Sequence, residues 1–254
     1  AEGTTLYSVC LTALHALLYR YTNVEDTAVV TPVFGRSRSR FARTVGDFVN
    51  MLVLRETVQV DSTGRELLAL TKRTLLEALD HQDYPYARLV SDLRPARDRQ
   101  RAPLGQILFV LQQFRLLSEL DGRMSGSSSS VSESCLPAWE AYVIPQQSGQ
   151  FDLCLELAES EQGVTGYFEY KDDLFTPDRM ARMQQHFVRV LEGLVADPAV
   201  QIGSLPLMSE AECRETVLTW GQSPELQAPA QCLHRQIEAQ VSRTPDAIAV
   251  RQGD

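Results

Sequence analysis

Long apolar stretches are missing from this 254-residue chain: its uninterrupted apolar runs last only a few residues, too short to cross a bilayer. Basic charge is also scarce, with 24 Lys and Arg against 33 Asp and Glu, a net charge of -9. This balance argues against a nucleic-acid partner, which requires a clustered basic surface. The five cysteines (Cys10, Cys135, Cys154, Cys213 and Cys232) are scattered, with no CxxC pair. An odd number at no metal-ligand spacing reads as free thiols in a reducing cytoplasm. No secretory signal is read in the opening AEGTTLYSVC, which already follows a helical pattern. Only four histidines occur, and no HExxH, Gly-rich phosphate loop or GxSxG elbow accompanies them.

What is present is a mixed pattern. Thr4 or Thr5 opens a helix whose apolar positions from Leu6 to Tyr21 recur every 3.6 residues. Residues 28–33 (AVVTPV) and 51–60 (MLVLRETVQV) read as strands, the first ended by Gly35-Arg36. Thr63 and Glu66 have capping-box spacing ahead of a Leu-rich helix. A short helix follows Pro85, then a strand over 106–112. Residues 115–150 have no usable period and contain SGSSSSVSES, so that 118–148 are expected to be poorly ordered or extended away from the packed elements. FDLCLELA and VTGYFEYK form a hairpin, and Thr176-Pro177 starts a long helix that Asp197-Pro198 ends. Beyond Pro206 the pattern loosens into a linker, and a last helix begins near Cys232. These elements predict an α/β fold with a mixed sheet flanked by helices.

Candidate chemistry concentrates in HQDYPYARLV, residues 81–90. His81 and Asp83 could form an acid–base pair. The same residues also make a helix connector, with Asp83 capping the next helix through the Tyr86 amide and Pro85 fixing its first turn. The connector is the better reading. His15, His186 (placed on the polar side of its helix) and His234 read as structural. The basic run Arg36, Arg38, Arg40 and Arg43 could hold a phosphate, and reads better as a solvated strand-end loop. Asn50 and Arg55 lie five apart on one strand and so point to opposite faces. One side chain can then face open space while the other, Arg55, is tied to a carboxylate or backbone carbonyls.

Three segments in this order, VGDFVNMLVLR (45–55), HQDYPYARLV (81–90) and RDRQRAPLGQILFVLQ (97–112), resemble the fifth, sixth and seventh core motifs of nonribosomal peptide synthetase condensation domains. TPVFGRSR, FDLCLELAE and YKDDLFTPDRMARMQQHF agree, and CLHRQIEAQVSRTPDAIAV (232–250) resembles the opening of an adenylation domain. Met51, Tyr86-Ala87, Gln100, Ala102 and Gly105 depart from the family pattern.

The family's catalytic HHxxxDG does not occur here, nor does any HxxxD. The resemblance therefore implies one chloramphenicol-acetyltransferase-like lobe, the C-terminal half of a two-lobed V-shaped domain, at 1–207. A linker at 208–231 and the truncated start of an adenylation domain at 232–254 follow. The implied reaction is amide formation between a carrier-bound thioester donor and an amine acceptor, with this fragment inactive by itself and contributing no catalytic residue. The implied partners are the N-terminal lobe, donor and acceptor carrier proteins with their phosphopantetheine arms, and the downstream adenylation domain. No cofactor or metal is expected to bind directly, and the setting is cytoplasmic. Val45, Gly46, Asp47, Phe48, Val49 and Asn50 are implied to line the cleft. Arg36, Arg55, His81, Gln82, Asp83, Tyr84, Pro85, Arg97 and Asp98 are implied to brace the lobe. The alternatives are a non-catalytic carrier-docking module, or a lobe of an epimerisation or cyclisation relative.

Overall fold

A computed structural model describes residues 3–36, 41, 43–95, 101–113, 149–160, 163–221, 232–248, 250 and 252. The chain divides into two compact units, Ala1–Leu207 and Met208–Asp254. Residues 118–148, Arg38, Arg40, Arg97 and Asp98 lie outside the described residues.

The first unit opens with α1 (Leu6–Thr22), whose N-cap Thr5 accepts the Ser8 amide through its side chain. β1 (Asp26–Val33) pairs antiparallel with β2 (Asn50–Thr57), in a register that sets Val33 opposite Asn50 and Thr27 opposite Glu56. The Thr63–Glu66 capping box starts α2 (Gly64–Asp80), and α3 spans Tyr86–Leu93. β3 (Ile107–Gln113) is parallel to both β1 and β4 (Leu153–Ser160), and β4 turns back antiparallel into β5 (Gly163–Tyr170). The long helix α4 (Pro177–Ala196) follows. Thr176 sits at its N-cap without a side-chain capping bond, so Pro177 rather than the hydroxyl sets the start.

The sheet order is β2-β1-β3-β4-β5. Side chains alternate across it, so that Val29, Leu54, Phe109 and Leu155 share one buried face. Tyr7 of α1 packs on Phe109 at 5.0 Å, and Phe187 of α4 on Phe168 at 6.1 Å, which puts the helices on that face. α1 is buried on nearly all sides because it touches both α2 and α4 as well as β1.

Polar groups are locked into this core. His15 is fully buried, with Nδ1 2.7 Å from Thr27 Oγ1 and Nε2 unpaired among the described residues. Burial pushes its pKa down to about 3. The expected position of His186 on a polar helix side is corrected: it is 9% exposed, and its Nδ1 lies 2.7 Å from the Tyr21 hydroxyl. The wider contact made by α1 turned that side of α4 inward. Glu56 is 2% exposed, and among the described residues neither carboxylate oxygen has a partner in full hydrogen-bond geometry. Burial raises its pKa, with the nearby Thr74 hydroxyl and Arg73 opposing the shift.

These two groups act in opposite senses. The His15 pKa is depressed on folding, so its contribution is present above about pH 6.5 and is lost as pH falls toward 3. Wild type should lose about 3 kcal/mol from this group between pH 7 and pH 4, a slope that His15→Gln should flatten in urea melts. The Glu56 pKa is raised, so its contribution is present below its unfolded value and lost as pH rises. Glu56→Gln should therefore be more stable than wild type at pH 8, by about 1–3 kcal/mol, and the gain should vanish in acid.

In the second unit, Ser209 and Glu212 form a capping box that opens α5 (Glu210–Arg214), which continues as a π-helical turn over Glu215–Trp220. The expected loose linker from 208 is thus helical at its start, because that box satisfies the first amides. The last helix, α6 (Leu233–Arg243), exposes Leu233, Ile237 and Val241 along one stripe.

Candidate functional site

Where β1 runs out, the chain must reverse before β2 begins. Gly35 makes this possible with φ +59°, and a Cβ there would stand 1.9 Å from the Phe48 carbonyl oxygen. Arg36 then gathers the loop. Its guanidinium donates to the carbonyls of Phe41 (2.6 Å), Thr44 (2.8 Å) and Gly46 (3.0 Å), and stacks 4.5 Å above the Phe48 ring. Asp47 closes the next turn by accepting the Val49 amide at 2.9 Å. The clamped loop turns its apolar side chains outward: Val45 is 99% exposed, and Phe34 and Val49 are exposed beside it. So Arg36 is spent on backbone carbonyls, and a phosphate-binding use of the basic run has no support at this residue.

Asn50 is the junction between this loop and the HQDYP turn. Its amide nitrogen donates to the carbonyls of Gln82 (2.9 Å) and Tyr84 (2.8 Å), while its Oδ1 accepts the Tyr86 amide at 3.0 Å. The capping acceptor of α3 is therefore Asn50, not Asp83. Pro85 occupies the N-cap position and supplies no side-chain bond, and the neighbouring strand delivers an oxygen from outside. Local reading could not find this acceptor, because it comes from 36 residues away.

His81 ends α2: its amide donates to the Ala78 carbonyl at 3.2 Å, and its own carbonyl accepts the Tyr84 amide at 3.0 Å. Gln82 reaches back to the Leu79 carbonyl at 2.9 Å. The Tyr84 hydroxyl donates to Asp92, a bond that raises the tyrosine pKa, and the same carboxylate accepts from Arg88 at 3.1 Å. The Tyr86 hydroxyl donates to the Pro103 carbonyl. Sequence reasoning missed Asp92 and Pro103, although the i,i+4 spacing of Arg88 and Asp92 was a usable signal.

Arg55, on the opposite face of β2 from Asn50, holds Asp26 by two bonds of 2.7 Å, and hydrogen bonding from the guanidinium depresses the Asp26 pKa. Both side chains are largely exposed. The site is therefore a wall: a clamped loop and a pinned turn, tied together at Asn50. Among the described residues no cluster of three or more His, Cys, Asp or Glu could hold a metal.

A family model described as "Condensation domain" matches residues 1–217. The chain is 33% identical over 248 residues to tyrocidine synthase 3 of Brevibacillus parabrevis, covering 98% of this chain and 4% of that protein. It is 32% identical over 255 residues to phosphinothricin tripeptide synthetase PhsC of Streptomyces viridochromogenes, covering 100% of this chain and 22% of that protein. It thus spans a small part of these relatives. A holo four-domain nonribosomal peptide synthetase superimposes with a TM-score of 0.71 at 26% identity, over 82% of this chain and 16% of that one. The first condensation domain of the calcium-dependent antibiotic synthetase superimposes at 0.60 with 20% identity, over 82% of this chain and 42% of that one.

The fold is α/β and chloramphenicol-acetyltransferase-like, a mixed sheet flanked by helices. The chain belongs to the condensation-domain family of nonribosomal peptide synthetases.

Proposed function

We propose that residues 1–207 are the C-terminal lobe of an amide-forming condensation domain, 208–231 a linker, and 232–254 the start of an adenylation domain. The observation that carries this reading is the single wall built by Arg36, Asn50 and the HQDYP turn, on a chain that spans 42% of a solved condensation domain. In the reaction, the acceptor amine attacks the donor thioester carbonyl. The C–N bond forms, the C–S bond breaks, and the amine proton ends on the departing thiolate of the donor's phosphopantetheine arm. Donor and acceptor carrier proteins present the two groups, in the cytoplasm.

The residues of this chain position and shelter that chemistry. Residues 45–50 face the reacting groups, and His81, Gln82, Asp83, Tyr84 and Pro85 hold the wall behind them. The base comes from the N-terminal lobe, through its HHxxxDG motif, since proton removal needs a positioned group.

The test is a paired-carrier assay with loaded donor and acceptor. This chain by itself is expected to give no amide above the uncatalysed rate, and the chain joined to an N-terminal lobe is expected to give it. Amide formation by the isolated chain, or none by the joined protein, would overturn the reading.

A second reading is a non-catalytic binding module. It draws on the likeness (TM-score 0.66, 24% identity) to the X-domain of teicoplanin biosynthesis, solved in complex with OxyB. Binding of loaded carriers without turnover by the joined protein would favour it.

A further inference from the structure

A cavity of about 450 Å³ opens at the end of the sheet where the parallel strands β1, β3 and β4 finish. Its floor is the inner sheet face, with Val33, Leu111 and Glu159, and its walls are Leu6 and Tyr7 of α1 and Leu75 and Leu79 of α2. This is within the size range of small-ligand sites, and strand C-terminal ends are where open α/β sheets bind ligands.

Its hydroxyls are already committed. The Tyr7 hydroxyl donates to Thr31 Oγ1 at 2.8 Å, and Thr31 donates to the Phe109 carbonyl at 2.9 Å. Thr5 accepts the Ser8 amide. What faces the space is ring, methyl and methylene surface, with Glu159 the one charged side chain among the lining residues.

The cavity also adjoins the wall. Val33 pairs across the sheet with Asn50, and the Leu79 carbonyl is held by Gln82. A ligand that fits has an apolar body and carries a positive charge or a hydrogen-bond donor. A carboxylate would meet Glu159 and, among the described lining residues, no cation.

We propose that this cavity receives the apolar side chain of the carrier-borne acceptor aminoacyl group, with Glu159 holding its amine at the mouth. The proposal rests on the amide-forming reading above, and it assigns the acceptor rather than the donor because the acceptor brings the free amine. The side chains of Val33, Leu75, Leu79 and Leu111 then set acceptor size. One methylene more or less in such a pocket changes the rate by about 10- to 200-fold.

The test uses the complete two-lobed protein, with one donor and acceptor carriers loaded with glycine, leucine or aspartate. Wild type is expected to use leucine about tenfold or more better than glycine, and aspartate poorly. Leu79→Trp should abolish the preference by slowing leucine and sparing glycine. Glu159→Gln should raise the acceptor KM several-fold with little change in kcat. Equal slowing of glycine and leucine by Leu79→Trp, or an unchanged ratio, would overturn the proposal.

A second measurement needs no variant. Leucyl-pantetheine amide added to methyl-labelled wild-type protein should shift Val33, Leu75, Leu79 and Leu111, whereas shifts confined to other methyls would overturn the pocket. No amide from any acceptor would instead sink the amide-forming reading itself.

Discussion

Asn50→Ala is expected to cost about 2–4 kcal/mol in a urea melt, more than any other single change in the wall. It deletes two bonds to backbone carbonyls, at about 0.5–1.5 kcal/mol each, and one helix cap, at about 0.5–2 kcal/mol. Asp83→Ala leaves the Tyr86 amide with its acceptor and should cost less. Asn50→Asp separates hydrogen bonding from simple bulk. It keeps the oxygen that caps α3 but turns a second oxygen on the carbonyls of Gln82 and Tyr84, which cannot donate. It should be at least as damaging as alanine at pH 7 and should recover in part at acid pH, where a protonated carboxyl donates again. Equal stability of Asn50→Asp and wild type at pH 7 would mean that those two carbonyl bonds carry no weight.

Arg36→Ala should leave global stability within about 0.5 kcal/mol, because the side chain is exposed and the core does not depend on it. Locally the effect should be large. A charged hydrogen bond contributes about 1.5–3 kcal/mol, and three carbonyls lose their donor at once. Even one such loss would raise the open population of the loop about 10- to 100-fold. Trypsin cleavage after Arg43, read by mass spectrometry, should accelerate to match, since it tracks that population when reclosing is fast. Gly35→Ala should do the same from the other end, because its Cβ would collide with the Phe48 carbonyl and its φ is left-handed. Cleavage at the wild-type rate in both variants would show that neither residue holds the loop. On the amide-forming reading proposed above, both variants should also slow amide formation in a two-lobed protein, because positioning of the acceptor would be lost.

The elements themselves were legible because their causes are local. The Thr63–Glu66 box, the 3.6-residue period of α1 and the alternation of FDLCLELA each act within a few residues, and each element formed where its pattern lies. The β2 pattern extends to Val60, yet the strand ends at Thr57, where Val58 leaves the ladder. The family, too, was readable from three motifs in order. The role of Asp83 was not. A carboxylate two residues before a proline satisfies every local rule for a cap, and only the register of β2 against β1 brings Asn50 within reach of Tyr86 instead.

The placement of His186 failed for a related reason. Helical and strand periods say which residues share a side, but not how many sides of an element its neighbours will cover. α1 touches α2, β1 and α4 together, so a position on α4 that one covered face would have left in water became interior, whereas Glu56 shares the inward face of β2 with Leu52 and Leu54. The cavity at the strand ends is the extreme case. Its wall takes residues from five elements between Thr5 and Glu159, no local pattern joins them, and a void has no sequence of its own. Short-range hydrogen bonding and periodicity, written in the sequence, determined which segments are helix and strand, and three motifs in order carried the family resemblance. Partners that meet only across the sheet and between its layers, which chain folding alone brings together, decided what caps α3, what is buried, and where a ligand can fit.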